Sequence, residues 1–133
     1  KIHVGMKTPH AIIVDDNPDN LLVLGTLLEM ENVEHTLVQN PVHFSNAIAD
    51  LPHIEVIFLD LELPEIDGYQ LYEQIRRDER LKHVPVVAYS VHTSQIQRTR
   101  QLGFQGFLSK PLNAEAFPHQ LTQILNGQLV WAA

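Results

Sequence analysis

The chain has 133 residues, enough for one domain with a buried core, and its nine basic against sixteen acidic residues give a net charge of −7. That acidity disfavours direct contact with nucleic acid, and no apolar run approaches the ~18 residues that a membrane-spanning helix needs. Cysteine is absent, which excludes disulfides and thiolate metal sites and fits a cytoplasmic protein.

Lys1 to Gly5 match nothing downstream and read as a cloning remnant ahead of a native start at Met6. No basic segment precedes an apolar stretch here, so no signal peptide is expected. From there, short β-branched apolar runs alternate with longer amphipathic ones. Strands are predicted at 10–15, 34–39, 55–59, 85–89 and 105–108, and helices at 18–31, 41–50, 67–78, 93–102 and 113–126. Five consecutive βα units predict an α/β fold, with a five-stranded parallel sheet wound by helices on both faces. Right-handed crossovers favour the flavodoxin-like strand order 2-1-3-4-5. One domain is expected over 6–127, and 128–133 are left as a short tail without an output domain.

The helices carry local signals. Asn17-Pro18 caps the first, and Leu21, Leu24 and Leu28 share one face. Asp67 caps the third, which buries Leu71, Tyr72 and Ile75. The fourth has only Ile96 and Leu102 as strong apolar anchors and is expected to be the most mobile element. In the fifth, Pro118 lies past the first turn if Asn113 is the cap, so either the helix starts late or its first turn is distorted.

The chemistry lies at the strand ends. Ala11 to Val14 runs into Asp15-Asp16, Val56 to Leu59 into Asp60, and Gly106 to Ser109 into Lys110-Pro111. In a parallel sheet all strand carboxyl ends open on one edge, where ligands bind. Three acids and a lysine from distant parts of the chain therefore meet there. Alone, an Asp-Asp pair reads as a helix cap with a spare surface acid, and a strand-end lysine as a solvated group. Together the acids suit Mg2+, which prefers one or two carboxylates and keeps several waters. Asp60 is also a competent phosphoryl acceptor by type. Pro111 keeps Lys110 out of the helical region, where an extended side chain could reach a phosphoryl oxygen. Ser90 ends the fourth strand on the same edge, with a hydroxyl to donate. Phe107 reads as core.

These pieces are Val14-Asp15-Asp16, Leu59-Asp60 through Asp67-Gly68, Pro85 to Ser90, and Ser109-Lys110-Pro111. Their order and spacing resemble the receiver domains of bacterial two-component response regulators, over about residues 9 to 126. Stand-alone receivers of the chemotaxis and cell-division type and receivers of hybrid kinases are similar. The resemblance implies that Asp60 accepts a phosphoryl group from a phosphohistidine on a sensor histidine kinase or a histidine phosphotransfer protein. It implies Mg2+ held by Asp16, Asp60 and the backbone carbonyl of Glu62, with Asp15 acting through water. Lys110 would pair with the phosphoryl oxygens. Ser90 would move to the phosphoryl group, and Phe107 would turn inward into the space it leaves. The face of the fourth helix, fifth strand and fifth helix would then select a downstream protein or a second copy. Such a chain is a phosphoacceptor signalling domain rather than an enzyme, promoting only its own phosphotransfer and dephosphorylation.

Three departures stand out. Ser90 replaces the family's more frequent threonine and Phe107 its frequent tyrosine. Glu62 and His92 occupy positions that border the phosphoryl group and tune its hydrolysis, and they are expected to approach each other across the site mouth. Two rival readings remain. One is a phosphorylation-independent interaction module. The other is a phosphatase of the haloacid dehalogenase type, whose paired acids Asp60-Leu61-Glu62 imitate. The remaining histidines (His3, His10, His35, His43, His53, His83 and His119) form no metal pattern and read as surface or loop residues.

Overall fold

The computed structural model describes residues 8–132, so the reading of Lys1 to Gly5 and Met6 lies outside the described residues. The elements run β1 (His10–Val14), α1 (Pro18–Met30), β2 (Glu34–Val38), α2 (Phe44–Ile48), β3 (Val56–Asp60), α3 (Gly68–Arg77), β4 (Val86–Ser90), α4 (Ile96–Leu102), β5 (Gly106–Ser109), α5 (Phe117–Leu125) and β6 (Val130–Ala132). All strands pair in parallel, in the order β2-β1-β3-β4-β5-β6.

The sheet therefore has six strands where the sequence predicts five. The supposed tail at 128–133 supplies the sixth, pairing Gly106 with Val130, Phe107 with Trp131 and Leu108 with Ala132. A three-residue strand is too short to show a period of two. Its docking depends on a bare neighbour: a Cβ on Gly106 would stand 2.7 Å from the Val130 carbonyl oxygen. The Arg100 guanidinium lies 5.0 Å from the Trp131 ring centroid and ties α4 to the new edge.

Strands β1, β3 and β4 are buried on both faces, which is why they read as continuous apolar runs. Ile12, Ile57, Leu59, Val86 and Ala88 point to a core closed by α2, α3 and the start of β5. Ala11, Ile13, Phe58, Val87 and Tyr89 point to a core closed by α1 and α5. Each fully buried large aliphatic side chain contributes roughly 1.5–3 kcal/mol. The C-terminal edge is thus a polar rim on a rigid apolar platform.

Caps and proline decide the helix starts. The Asn17 side chain accepts from Asp19 and Asn20 N–H, with Pro18 first in α1. Asp67 and Gln70 form a reciprocal capping box on α3. The predicted helix 41–50 is a single 3-10 turn, Pro41–His43, followed by the five residues of α2. The fifth helix starts late: Asn113 accepts from Glu115 and Ala116 N–H to close a separate turn, and α5 begins at Phe117. Pro118 then falls in the first turn, where a missing N–H breaks no helical bond.

Helix α4 is preceded by the 3-10 turn Thr93–Gln95. Its buried residue is Thr99, whereas Leu102 is exposed. The Tyr69 hydroxyl donates to the side chain of Gln95, the last residue of that turn. Arg98 stacks 3.9 Å from the Tyr69 ring centroid. Two histidines also depart from the surface reading. His10 and His35 sit on β1 and β2 with side chains only 13% and 14% exposed. His35 packs beneath Gly25 of α1.

Candidate functional site

The register of the sheet brings the predicted residues together. β3 reaches one residue further than predicted and ends on Asp60 itself, which pairs with Tyr89 of β4. Ser90 pairs with Ser109, so Lys110 begins where β5 stops. Asp15 follows β1 directly, and its N–H donates to Val38 of β2. A cleft of about 380 Å³ opens at this rim, lined by Asp15, Asp16, Asp60, Glu62, Val91 and Lys110 among others.

The Lys110 ammonium lies 3.2 Å from Asp15 Oδ2 and 3.3 Å from Asp60 Oδ2. It is the shared counter-charge of two buried carboxylates. The Lys110–Pro111 peptide bond is cis. Asp60 Oδ1 accepts the Glu62 N–H at 3.0 Å, and Asp15 Oδ1 accepts the Asn17 N–H at 2.8 Å. The loop after Asp60 folds back so tightly that a Cβ on Gly68 would stand 2.5 Å from the Asp60 carbonyl oxygen. Asp67-Gly68 is thus part of the site's scaffold, capping α3 with one residue and clearing the backbone with the other.

Asp15, Asp16 and Asp60 each offer an oxygen, and these atoms lie within 4.8 Å of one another. Asp15 and Asp60 are buried, whereas Asp16 is exposed at the cleft. Burial and the neighbouring Asp15 push the Asp60 carboxyl up to about 7, against the lowering effects of the Glu62 N–H and Lys110. Three crowded acids with a single lysine between two of them, and all-oxygen donors, fit a hard divalent cation.

Tyr89 is absent from the site that the sequence predicts. Its hydroxyl donates to Asp15 Oδ2 at 2.7 Å, and the Lys110 ammonium lies 4.6 Å from its ring centroid. Burial and the Asp15 carboxylate drive its phenol far above the ordinary value. The signal is the single tyrosine in the apolar run Pro85 to Ser90, since a buried phenol needs a polar partner.

Glu62 and His92 both converge on Ser90. The Ser90 hydroxyl lies 2.8 Å from both Glu62 carboxylate oxygens, to which it donates, and its Oγ accepts the His92 N–H at 2.9 Å. A strand-end hydroxyl with an unpaired proton attracts the nearest carboxylate, and the His92 contact is made by backbone. Phe107 is already fully buried, so its expected turn inward has no exposed starting point here.

A sequence model of the response regulator receiver domain matches residues 11–122. The chain belongs to this family. Among curated relatives, the sensor histidine kinase GacS of Pseudomonas protegens is 33% identical over 124 residues, covering 90% of this chain and 13% of the kinase. The polar-differentiation response regulator DivK of Brucella ovis is 29% identical over 112 residues, covering 83% of this chain and 90% of DivK. This receiver thus spans a small part of one relative and nearly all of the other. Among solved structures, the receiver domain of sensor histidine kinase PA1611 from Pseudomonas aeruginosa superposes with a TM-score of 0.78 at 26% identity, over 90% of this chain and 99% of that one. That structure has a magnesium ion coordinated in its active site cleft. Chemotaxis protein CheY4 of Vibrio cholerae has the same fold, with a TM-score of 0.80 at 19% identity over 89% of this chain and 99% of its own. The family's model ends before β6. Among the described residues, no helix is long and apolar enough to cross a membrane.

Proposed function

We propose that this receiver takes a phosphoryl group onto Asp60 and signals through a change at Ser90, as a cytoplasmic domain with no other catalytic activity. The observation that carries this reading is the Lys110 ammonium bridging Asp15 and Asp60 beside a third acid. Asp60 attacks the phosphorus of a phosphohistidine on a sensor histidine kinase or a phosphotransfer protein. The new O–P bond forms as the P–N bond breaks, and the imidazole leaves with its electron pair. Asp16, Asp60 and the Glu62 carbonyl would hold Mg2+, with Asp15 acting through water. Bound there, the cation neutralises charge on the transferring group. The Lys110 ammonium would do the same, so the chain contributes position and electrostatics. Attack needs the carboxylate form of Asp60, and the ammonium favours it.

Ser90 is the moving donor, and Phe107 lines the space that the movement changes. Through them the phosphoryl group biases a two-state equilibrium in the face of α4, β5 and α5. A downstream protein or a second copy of the chain reads that face. Both occupants must accommodate β6, which lies along β5.

The test is intact-mass spectrometry after incubation with acetyl phosphate, with and without magnesium. The expected result is a magnesium-dependent gain of one phosphoryl group, absent in Asp60→Asn. An equal gain in Asp60→Asn would remove the assignment.

A further inference from the structure

Ser90 has one proton to give, and in this structure it is already committed. Its hydroxyl is completely buried, equidistant from Oε1 and Oε2 of Glu62, and occupied as an acceptor by the His92 N–H. A phosphoryl group on Asp60 would need the same proton. The Glu62 carboxylate and a phosphoryl group both accept hydrogen bonds and carry the same sign of charge. One hydroxyl cannot serve both.

We propose that Glu62 is a positioning residue that acts through Ser90: its carboxylate latches the hydroxyl, and the phosphorylated state forms by displacing it. The backbone around the latch is fixed. The Glu62 N–H is held by Asp60 Oδ1, and both neighbours, Leu61 and Leu63, are buried. The Glu62 side chain is exposed, so it can swing into water and be solvated there. The latch therefore releases by side-chain rotation alone. Its strength sets how far the switch lies toward the unphosphorylated state, because a charge-assisted hydrogen bond is lost on release. This inference rests on the phosphoacceptor reading and adds to it a built-in competitor.

The test is a double-mutant cycle read by calorimetric titration with beryllofluoride in saturating magnesium. Glu62→Ala is expected to tighten binding by about tenfold, combining relief of like charge with release of the hydroxyl. In a Ser90→Ala background only the charge contribution survives, so the gain should shrink by about threefold or more. Ser90→Thr restores a hydroxyl and should restore the full gain. Glu62→Gln keeps an acceptor for Ser90 without the charge and should fall between wild type and Glu62→Ala. Equal gains from Glu62→Ala in the wild-type and Ser90→Ala backgrounds would overturn the latch while leaving the phosphoacceptor reading intact. Failure of beryllofluoride to bind any variant that retains Asp60 would overturn both.

Discussion

Replacing Asp60 by asparagine should stabilise the metal-free protein, by an amount that opens above pH ~4 and grows until about pH 7. The folded protein keeps the Asp60 proton up to about 7, against 3.8 for an ordinary aspartate. The folded state therefore binds this proton more tightly than the unfolded chain does. The associated stability is fully present below pH ~4 and is lost progressively as the pH rises from ~4 to ~7. At roughly 1.4 kcal/mol per unit, the gap of about three units sets an upper bound of about 4 kcal/mol, which screening by solvent at the cleft lowers. Asparagine has nearly the shape of a protonated aspartate and no charge to bury. Urea unfolding in a chelator, at steps from pH 4 to pH 8, gives the difference between the two proteins. The curves should agree within about 1 kcal/mol at pH 4 and separate by up to about 4 kcal/mol at pH 8, with the variant more stable. Saturating magnesium should close much of the gap for the wild type, because binding to the folded state alone adds stability. A difference that stays flat from pH 4 to pH 8 would refute the claim that burial and the neighbouring Asp15 hold the Asp60 proton in the folded state.

Tyr89→Phe keeps the ring that packs under Lys110 and removes the hydrogen bond to Asp15, so it should cost about 2 kcal/mol in urea unfolding at pH 7. An unchanged midpoint would mean that the phenol contributes only its ring. Gly106→Val places side-chain atoms against the Val130 backbone and should detach β6. Trp131 is the only tryptophan, so its emission should shift to the red and its quenching by acrylamide should rise, whereas unchanged fluorescence would show that the strand tolerates the clash.

Strands β1, β3 and β4 are legible in the sequence because full burial on both faces leaves no room for polar residues, and each run ends where the core ends. The site residues are legible for the same reason: Asp15, Asp60 and Lys110 are the first charged groups after apolar strands in a parallel sheet. Connections between side chains are not. Glu62 and His92 both flank Ser90, but which groups of theirs point at its hydroxyl depends on loop backbone that no spacing encodes. Tyr89 is hidden because its ring obeys the core pattern while its hydroxyl belongs to the rim. The late start of α5 follows from Asn113 serving a separate turn, a choice local propensity leaves open. β6 escapes because it gains its place from Gly106, more than twenty residues earlier, rather than from its own sequence.

The sixth strand also changes where the polypeptide points. A chain that finishes with α5 leaves from the N-terminal side of the sheet, opposite Asp60. Here the path turns once more and climbs parallel to β5, bringing Ala132 level with Leu108, two residues short of Lys110. The path is thereby reversed toward the rim that carries Asp60. A fluorophore attached just after β6 would be carried beside the edge that holds Asp60 and Lys110, at a height set by three backbone pairings. Its distance to a docked phosphohistidine donor would then be a direct ruler for how the two proteins approach.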